Sequence, residues 1–194
     1  MTAPTHVPSP QRAAATRTGL LVVDLQTKLL ATIGNGPEVV RRAQALLEAA
    51  ELLAIPAAAT VQYPRGLGPL EESLRERLPT PEEKLDFSAA VCRRELDRWS
   101  DSGRDQVTVV GIETHVCVEQ TVLGLLAEGR RVFVPADAVA ARHLTDHEWS
   151  LRRVAAAGAV VTTTEALLFA WCQTADRPEF KSISGIVKRL SNER

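Results

Sequence analysis

GLLVVD (19–24), AAATVQY (57–63), QVTVVG (106–111), RVFVP (131–135) and AVVTT (159–163) are short β-branched runs separated by longer stretches of helical period. Strands alternating with helices predict a parallel sheet covered by helices. Between the first two runs, Pro37 suits a first helical turn. Val40, Ala43, Leu46, Leu47, Ala50 and Leu53 then recur at three- and four-residue intervals, which makes one amphipathic crossover helix. Further helices are expected near 90–100, 118–128, 146–157, 165–174 and 178–190. Residues 63–83 break the pattern with Pro64, Gly66, Gly68, Pro69, Pro79 and Pro81 among charged residues. An irregular excursion of this kind often shapes a pocket.

Composition narrows the function. With 194 residues, 45% of them hydrophobic, the chain can bury one substantial core, so one domain is expected. Lys plus Arg (23) nearly equals Asp plus Glu (24), and the basic residues are scattered. No electrostatic footprint for nucleic acid results, and a small-molecule substrate, neutral or anionic, is the expected partner. Apolar runs such as 20–23 and 107–110 fall far short of the roughly 18–20 residues that span a bilayer, so no membrane partner is expected. Residues 1–17, rich in Pro, Ala and Thr without a continuous apolar core, read as a disordered leader before a domain over 18–194. Three cysteines at unrelated spacings argue against a disulfide framework and for a reducing, cytoplasmic location.

Ligands of open parallel sheets bind outside the carboxyl ends of the strands, and three polar residues fall at such ends. Asp24 closes the first run, Lys84 lies in EKLDFSA after the excursion, and Cys117 follows the central run by the turn GIETHVC.

The segments LLVVDLQ (20–26), KLDFSA (84–89) and GIETHVCVEQT (111–121) together resemble the isochorismatase-like hydrolase superfamily, which includes nicotinamidases and N-carbamoylsarcosine amidohydrolases. The similarity runs from about Thr18 to the C-terminus. The ending TADRPEFKSISGIVKRL (174–190) is similar to the branch of isochorismatase domain-containing proteins of undefined substrate. The resemblance implies a three-layer α/β/α fold, a six-stranded parallel sheet with helices on both faces, with one strand near 79–84, and assembly into homo-oligomers. It further implies a catalytic triad of Asp24, Lys84 and Cys117, and an oxyanion hole from the backbone amides of Glu113 and Cys117. A cis peptide between Ile112 and Glu113 would aim the first of these donors.

These residue types suit acyl transfer. A thiol attacks a carbonyl as thiolate, and a free cysteine is mostly protonated at neutral pH, so a proton acceptor is required. Asp24 supplies one. The start of the 118–128 helix, with its unpaired amides and dipole, and the ammonium of Lys84 are expected to hold the sulfur as an anion. The hypothesis is an amidohydrolase working through a thioester. Two other readings stay open: a catalytically idle scaffold of the same fold that serves oligomer contacts, and a redox-responsive thiol protein.

Other residues carry less. Metal-binding nicotinamidases have an Asp-x-His pair just after the second strand, where this chain has Val61, Gln62, Tyr63 and Pro64, so neither a metal nor any other cofactor is expected. Isochorismatases proper lack the nucleophilic cysteine, which turns the expectation away from vinyl-ether cleavage. Gln26, Gln62, Tyr63 and Phe87 flank the motifs and are the candidates for lining a substrate pocket. His143 and His147 are four apart, a spacing that can hold zinc, but without a third ligand nearby they read as solvated. His115, two residues before Cys117, is badly spaced to pair with it on a helix. Cys92 and Cys172 fall in predicted helices and read as packing residues. RGLG (65–68) sits in a loop and reads as a turn rather than a phosphate cradle.

Overall fold

The computed structural model describes residues 9 and 11–192. Its strands are β1 (Thr18–Val23), β2 (Ala57–Gln62), β3 (Glu82–Lys84), β4 (Gln106–Ile112), β5 (Arg131–Pro135), β6 (Val139–Ala140) and β7 (Val160–Thr162). They form one sheet in the order β3-β2-β1-β4-β5-β7, with every pairing parallel. The six expected strands are all present. A seventh, the two-residue β6, sits beside the end of β4 through Gly111 and Ile112.

The helices are α1 (Thr27–Leu30), α2 (Gly36–Leu52), α3 (Pro64–Leu67), α4 (Glu72–Arg75), α5 (Arg93–Asp101), α6 (Glu119–Ala127), α7 (Leu144–Ala156), α8 (Thr164–Cys172) and α9 (Phe180–Asn192). All six residues of β1 are buried because helices cover both faces, which is why the run is apolar at consecutive positions. Successive side chains point to opposite faces. Leu20, Val22 and Phe133 therefore pack with α2, α8 and α9, while Leu21, Val23, Val132 and Val134 pack with α5, α6 and α7. This is the expected three-layer α/β/α arrangement. The excursion holds two single-turn helices, α3 and α4, on an otherwise irregular path.

Two expectations need correction. Of the leader, residues 1–8 and 10 lie outside the described residues, but 11–17 pack on the domain: Ala13 and Ala15 are buried, and the amide of Ala14 donates to Gln106 Oε1 at 2.8 Å. Small side chains without a periodic pattern concealed this docking. Cys117 does not open α6 either. It lies in a π-helical turn, Thr114–Val118, that precedes the helix.

At the carboxyl edge, two central strands come unusually close. Gly111 has φ +133°, and a Cβ there would stand 2.0 Å from the carbonyl oxygen of Val23. Only a residue without a side chain permits β4 to press against the end of β1 at this level. Gly111→Ala is expected to cost at least about 1–3 kcal/mol of stability through backbone overlap and unfavourable φ. Urea unfolding measures it, and an unchanged midpoint would contradict the close approach.

Candidate active site

Asp24 leaves β1 with φ +54°, a left-handed conformation that Asp tolerates better than most residues. Its side chain turns into the layer between β1, β2 and β3 and is fully buried. Oδ1 accepts from Thr60 Oγ1 at 2.9 Å and Oδ2 from Lys84 Nζ at 2.6 Å. Both members of this ion pair are out of solvent, with side-chain exposures of 0% and 1%. The ammonium also donates to Gln62 Oε1 at 2.6 Å, to the Phe87 carbonyl at 3.1 Å and to the Asp86 carbonyl at 3.3 Å. Removing a buried cation's only counter-charge is costly, and a set of acceptors this complete is what such a pair requires.

Cys117 is 5% exposed. Its thiol lies within side-chain hydrogen-bonding and electrostatic range of both Asp24 and Lys84. The three residues expected to converge do so, from β1, β3 and the turn after β4. Thr121 ties two of the motif segments together: its hydroxyl donates to the Cys117 carbonyl at 2.6 Å and accepts from the Ala89 amide at 2.7 Å.

The electrostatics differ from the sequence-based expectation. Burial, followed by the charge of Asp24, pushes the Cys117 thiol from an ordinary 9.0 up to about 12, and Lys84 only partly opposes this. The resting sulfur is therefore a neutral thiol rather than a thiolate held by a helix terminus. Cys92 is raised to about 11, chiefly by burial and then by Glu82. Cys92 immediately precedes α5 and Cys172 ends α8; both are buried and unpaired.

The turn carrying Cys117 is braced from the β6–α7 side. The Ile112–Glu113 peptide is cis. Glu113 Oε2 accepts from the amide and Nε of Arg142, both at 3.0 Å. Ser150 Oγ donates to the Thr114 carbonyl at 2.8 Å, and the Thr114 hydroxyl bonds His147 Nδ1 at 3.0 Å. His147 is thus a brace rather than a solvated residue, and burial lowers its pKa. Among the described residues no group of three or more His, Cys, Asp or Glu gathers in a metal-binding arrangement. Among the described residues His115 Nδ1 has no hydrogen-bond partner, and its Nε2 stands 3.9 Å from Asp146.

The four pocket candidates divide. Gln26 is fully buried, and its amide is used at both ends: Nε2 donates to the Gln62 and Gly68 carbonyls at 3.0 and 2.6 Å, and Oε1 accepts from the Gln62 amide at 2.8 Å. It clamps the excursion to β2 instead of facing a ligand. Gln62 is likewise buried, bound to Lys84 and, through Nε2, to the Leu85 carbonyl at 2.8 Å. Tyr63 lines a cleft of about 440 Å³ with Arg65, Glu83, Lys84 and Leu85. Phe87 is half exposed and contributes its carbonyl to the ammonium. Sequence reading passed over Thr60, Thr121 and Ser150. The only signal was a hydroxyl four residues after Cys117, a spacing that faces the same side of a helix.

The Isochorismatase domain family matches residues 18–166. Isochorismatase domain-containing protein 1 of Salmo salar is 34% identical over 173 residues, 88% of this chain but 60% of that protein. This chain thus spans less than two thirds of that relative's length. Isochorismatase domain-containing protein 2 of Danio rerio is 36% identical over 172 residues, covering 89% of this chain and 87% of its own. A solved Caenorhabditis elegans structure described as MAR1 ribonuclease superposes with TM-score 0.84 at 36% identity, over 91% of this chain and 92% of that one.

A neutral resting thiol has a measurable consequence. The difference in thiolate ultraviolet absorbance between the wild-type protein and Cys117→Ala is expected to be absent at neutral pH and to rise only as the pH approaches about 12. Because the folded-state value exceeds the ordinary one, the stabilisation from this thiol is complete below 9.0 and is lost as pH climbs toward about 12. A thiolate signal titrating near pH 7 would contradict it.

Proposed function

The chain belongs to the isochorismatase family, and from that premise we propose that it is a metal-independent cysteine hydrolase that cleaves an amide or carbamoyl-type C–N bond of a small molecule. The observation that carries this reading is the convergence of Cys117, Asp24 and Lys84 at the carboxyl edge of the sheet. As sulfur adds to the carbonyl carbon, its proton passes to Asp24. The tetrahedral adduct collapses with cleavage of the C–N bond, the departing nitrogen takes the proton from Asp24, and a thioester remains. Water then adds to the thioester, giving a proton to Asp24, which returns it to sulfur as the acid leaves. Lys84 stabilises the sulfur anion that develops between these states. Backbone amides of Glu113 and Cys117 are the donors to the oxyanion, on a turn braced by Arg142, Ser150 and His147.

Metal independence rests on the residues at the end of β2, where Gln62 is committed to Lys84 and its neighbours Val61, Tyr63 and Pro64 offer no carboxylate or imidazole. The unpaired cysteines suit a reducing, cytoplasmic compartment. Exposed Leu85, Phe87, Leu144 and Trp149 support assembly into a homo-oligomer.

The description of the Caenorhabditis elegans relative as a ribonuclease favours a second reading, RNA cleavage. Against it stand a Cys117 that is only 5% exposed, which suits a small acyl group better than a polymer backbone, and a near-neutral net charge of −1, which gives little overall attraction for phosphates.

The test is a panel of amides, carbamoyl amines and ureides, with an RNA arm and mass spectrometry of the trapped enzyme. The wild-type protein is expected to hydrolyse at least one panel member and to carry its acyl group on Cys117. Asp24→Asn is expected to lose about 10²–10⁴-fold in rate, and Cys117→Ala to lose both turnover and adduct. Full turnover by Cys117→Ala would refute the nucleophile. RNA cleavage without any amide turnover would establish the second reading, and inertness toward every substrate would favour an idle scaffold.

A further inference from the structure

Among the described residues, Gln62 approaches the Lys84 ammonium as closely as Asp24 does, at 2.6 Å. The two lie side by side because parallel pairing of β2 with β3 sets Gln62 opposite Lys84. The Gln62 amide cannot turn over. Its Nε2 donates to the Leu85 carbonyl at 2.8 Å, so a flip would set N–H against the ammonium and oxygen against a carbonyl. Its backbone is fixed as well, by the Gln26 clamp on both the amide and the carbonyl. An acceptor is thus permanently aimed at Nζ.

What distinguishes this acceptor is that it carries no charge. The ammonium has three protons and, around it, one carboxylate, one carboxamide and two peptide carbonyls. The neutral oxygens satisfy its N–H groups without neutralising it. Once the Cys117 proton has moved to Asp24, the full positive charge then faces the new sulfur anion. A carboxylate at position 62 would fit the same space and make the same contact with Nζ, yet it would leave Lys84 between two anions.

Resting on the proposed cysteine chemistry, we infer that Gln62 is a positioning residue that holds Lys84 in place while keeping its charge available to the thiolate of Cys117, and that it is not part of the substrate pocket.

Iodoacetamide alkylation of Cys117, followed by peptide mass across pH, tests this without a known substrate. Asp24, Lys84 and Cys117, with Glu83, Arg65 and Tyr63 around the neighbouring cleft, are ionisable groups common to every variant, so each curve is divided by that of the wild-type protein. Gln62→Glu is expected to slow alkylation at neutral pH about tenfold or more, since a nearby like charge opposes ionisation by about one to three pKa units. Its ratio to wild type is expected to recover as pH falls, because the introduced carboxyl group, once protonated, both accepts from Nζ and donates to the Leu85 carbonyl, as the native amide does. Gln62→Met, which keeps the volume but has no acceptor, is expected to slow alkylation by a pH-independent factor. Wild-type rates in Gln62→Glu across the range, or the same flat loss in Gln62→Glu and Gln62→Met, would overturn the inference and leave Gln62 a packing residue. These outcomes are separate from the fate of the hydrolase reading, which stands or falls on acylation of Cys117 in the native protein.

Discussion

The interaction on which the rest depends is the buried ion pair between Asp24 and Lys84. Two charges removed from water cost several kcal/mol each unless their geometry and remaining hydrogen bonds are well arranged. Here the arrangement is extensive: Thr60 completes the carboxylate, and Gln62 with two peptide carbonyls completes the ammonium. Each of these groups sits at or just beyond the carboxyl end of a strand, so the pair requires β1, β2 and β3 to hold their register. The left-handed turn at Asp24 and the Gly111 contact with Val23 place that pair beside the turn carrying Cys117.

A consequence for chemistry follows from the same burial. A sulfur enclosed beside a carboxylate is protonated at rest, and in the proposed reaction its reactivity is released by transfer of that proton to Asp24. Before transfer the carboxylate carries the negative charge that balances Lys84; afterwards the sulfur does. The site therefore holds one cation and one anion throughout, and only the location of the anion changes. An arrangement of this kind avoids exposing an uncompensated charge in a low-dielectric space at any step.

Much of this was legible in the sequence, for physical reasons that can be named. Strands covered on both faces have to be continuously apolar, so GLLVVD and QVTVVG announced a parallel sheet, and the rule that ligands gather at the carboxyl ends of strands singled out Asp24 and Cys117. The two-residue β6 was too short to leave a pattern. Ala13 and Ala15 dock against the domain with side chains too small to signal burial. The ionisation of Cys117 was misjudged because a helix terminus and a lysine can be read from sequence, whereas the depth of desolvation cannot. Gln62 and Gln26 looked like pocket residues because polar side chains beside motifs usually face ligands, but each is consumed by internal hydrogen bonds that depend on tertiary register. His147, read as solvated because no third metal ligand stood near it in the sequence, braces Thr114 across 33 residues.

The most direct test of this account is a double-mutant cycle on the central pair, with unfolding free energies measured by urea for Asp24→Asn, Lys84→Met and the two combined. If the pair is the constraint described, each single change leaves an uncompensated buried group and costs about 3–5 kcal/mol. The double variant then costs less than the sum of the two, with a coupling of about 1–3 kcal/mol. Additive losses, or single changes that leave stability untouched, would contradict it.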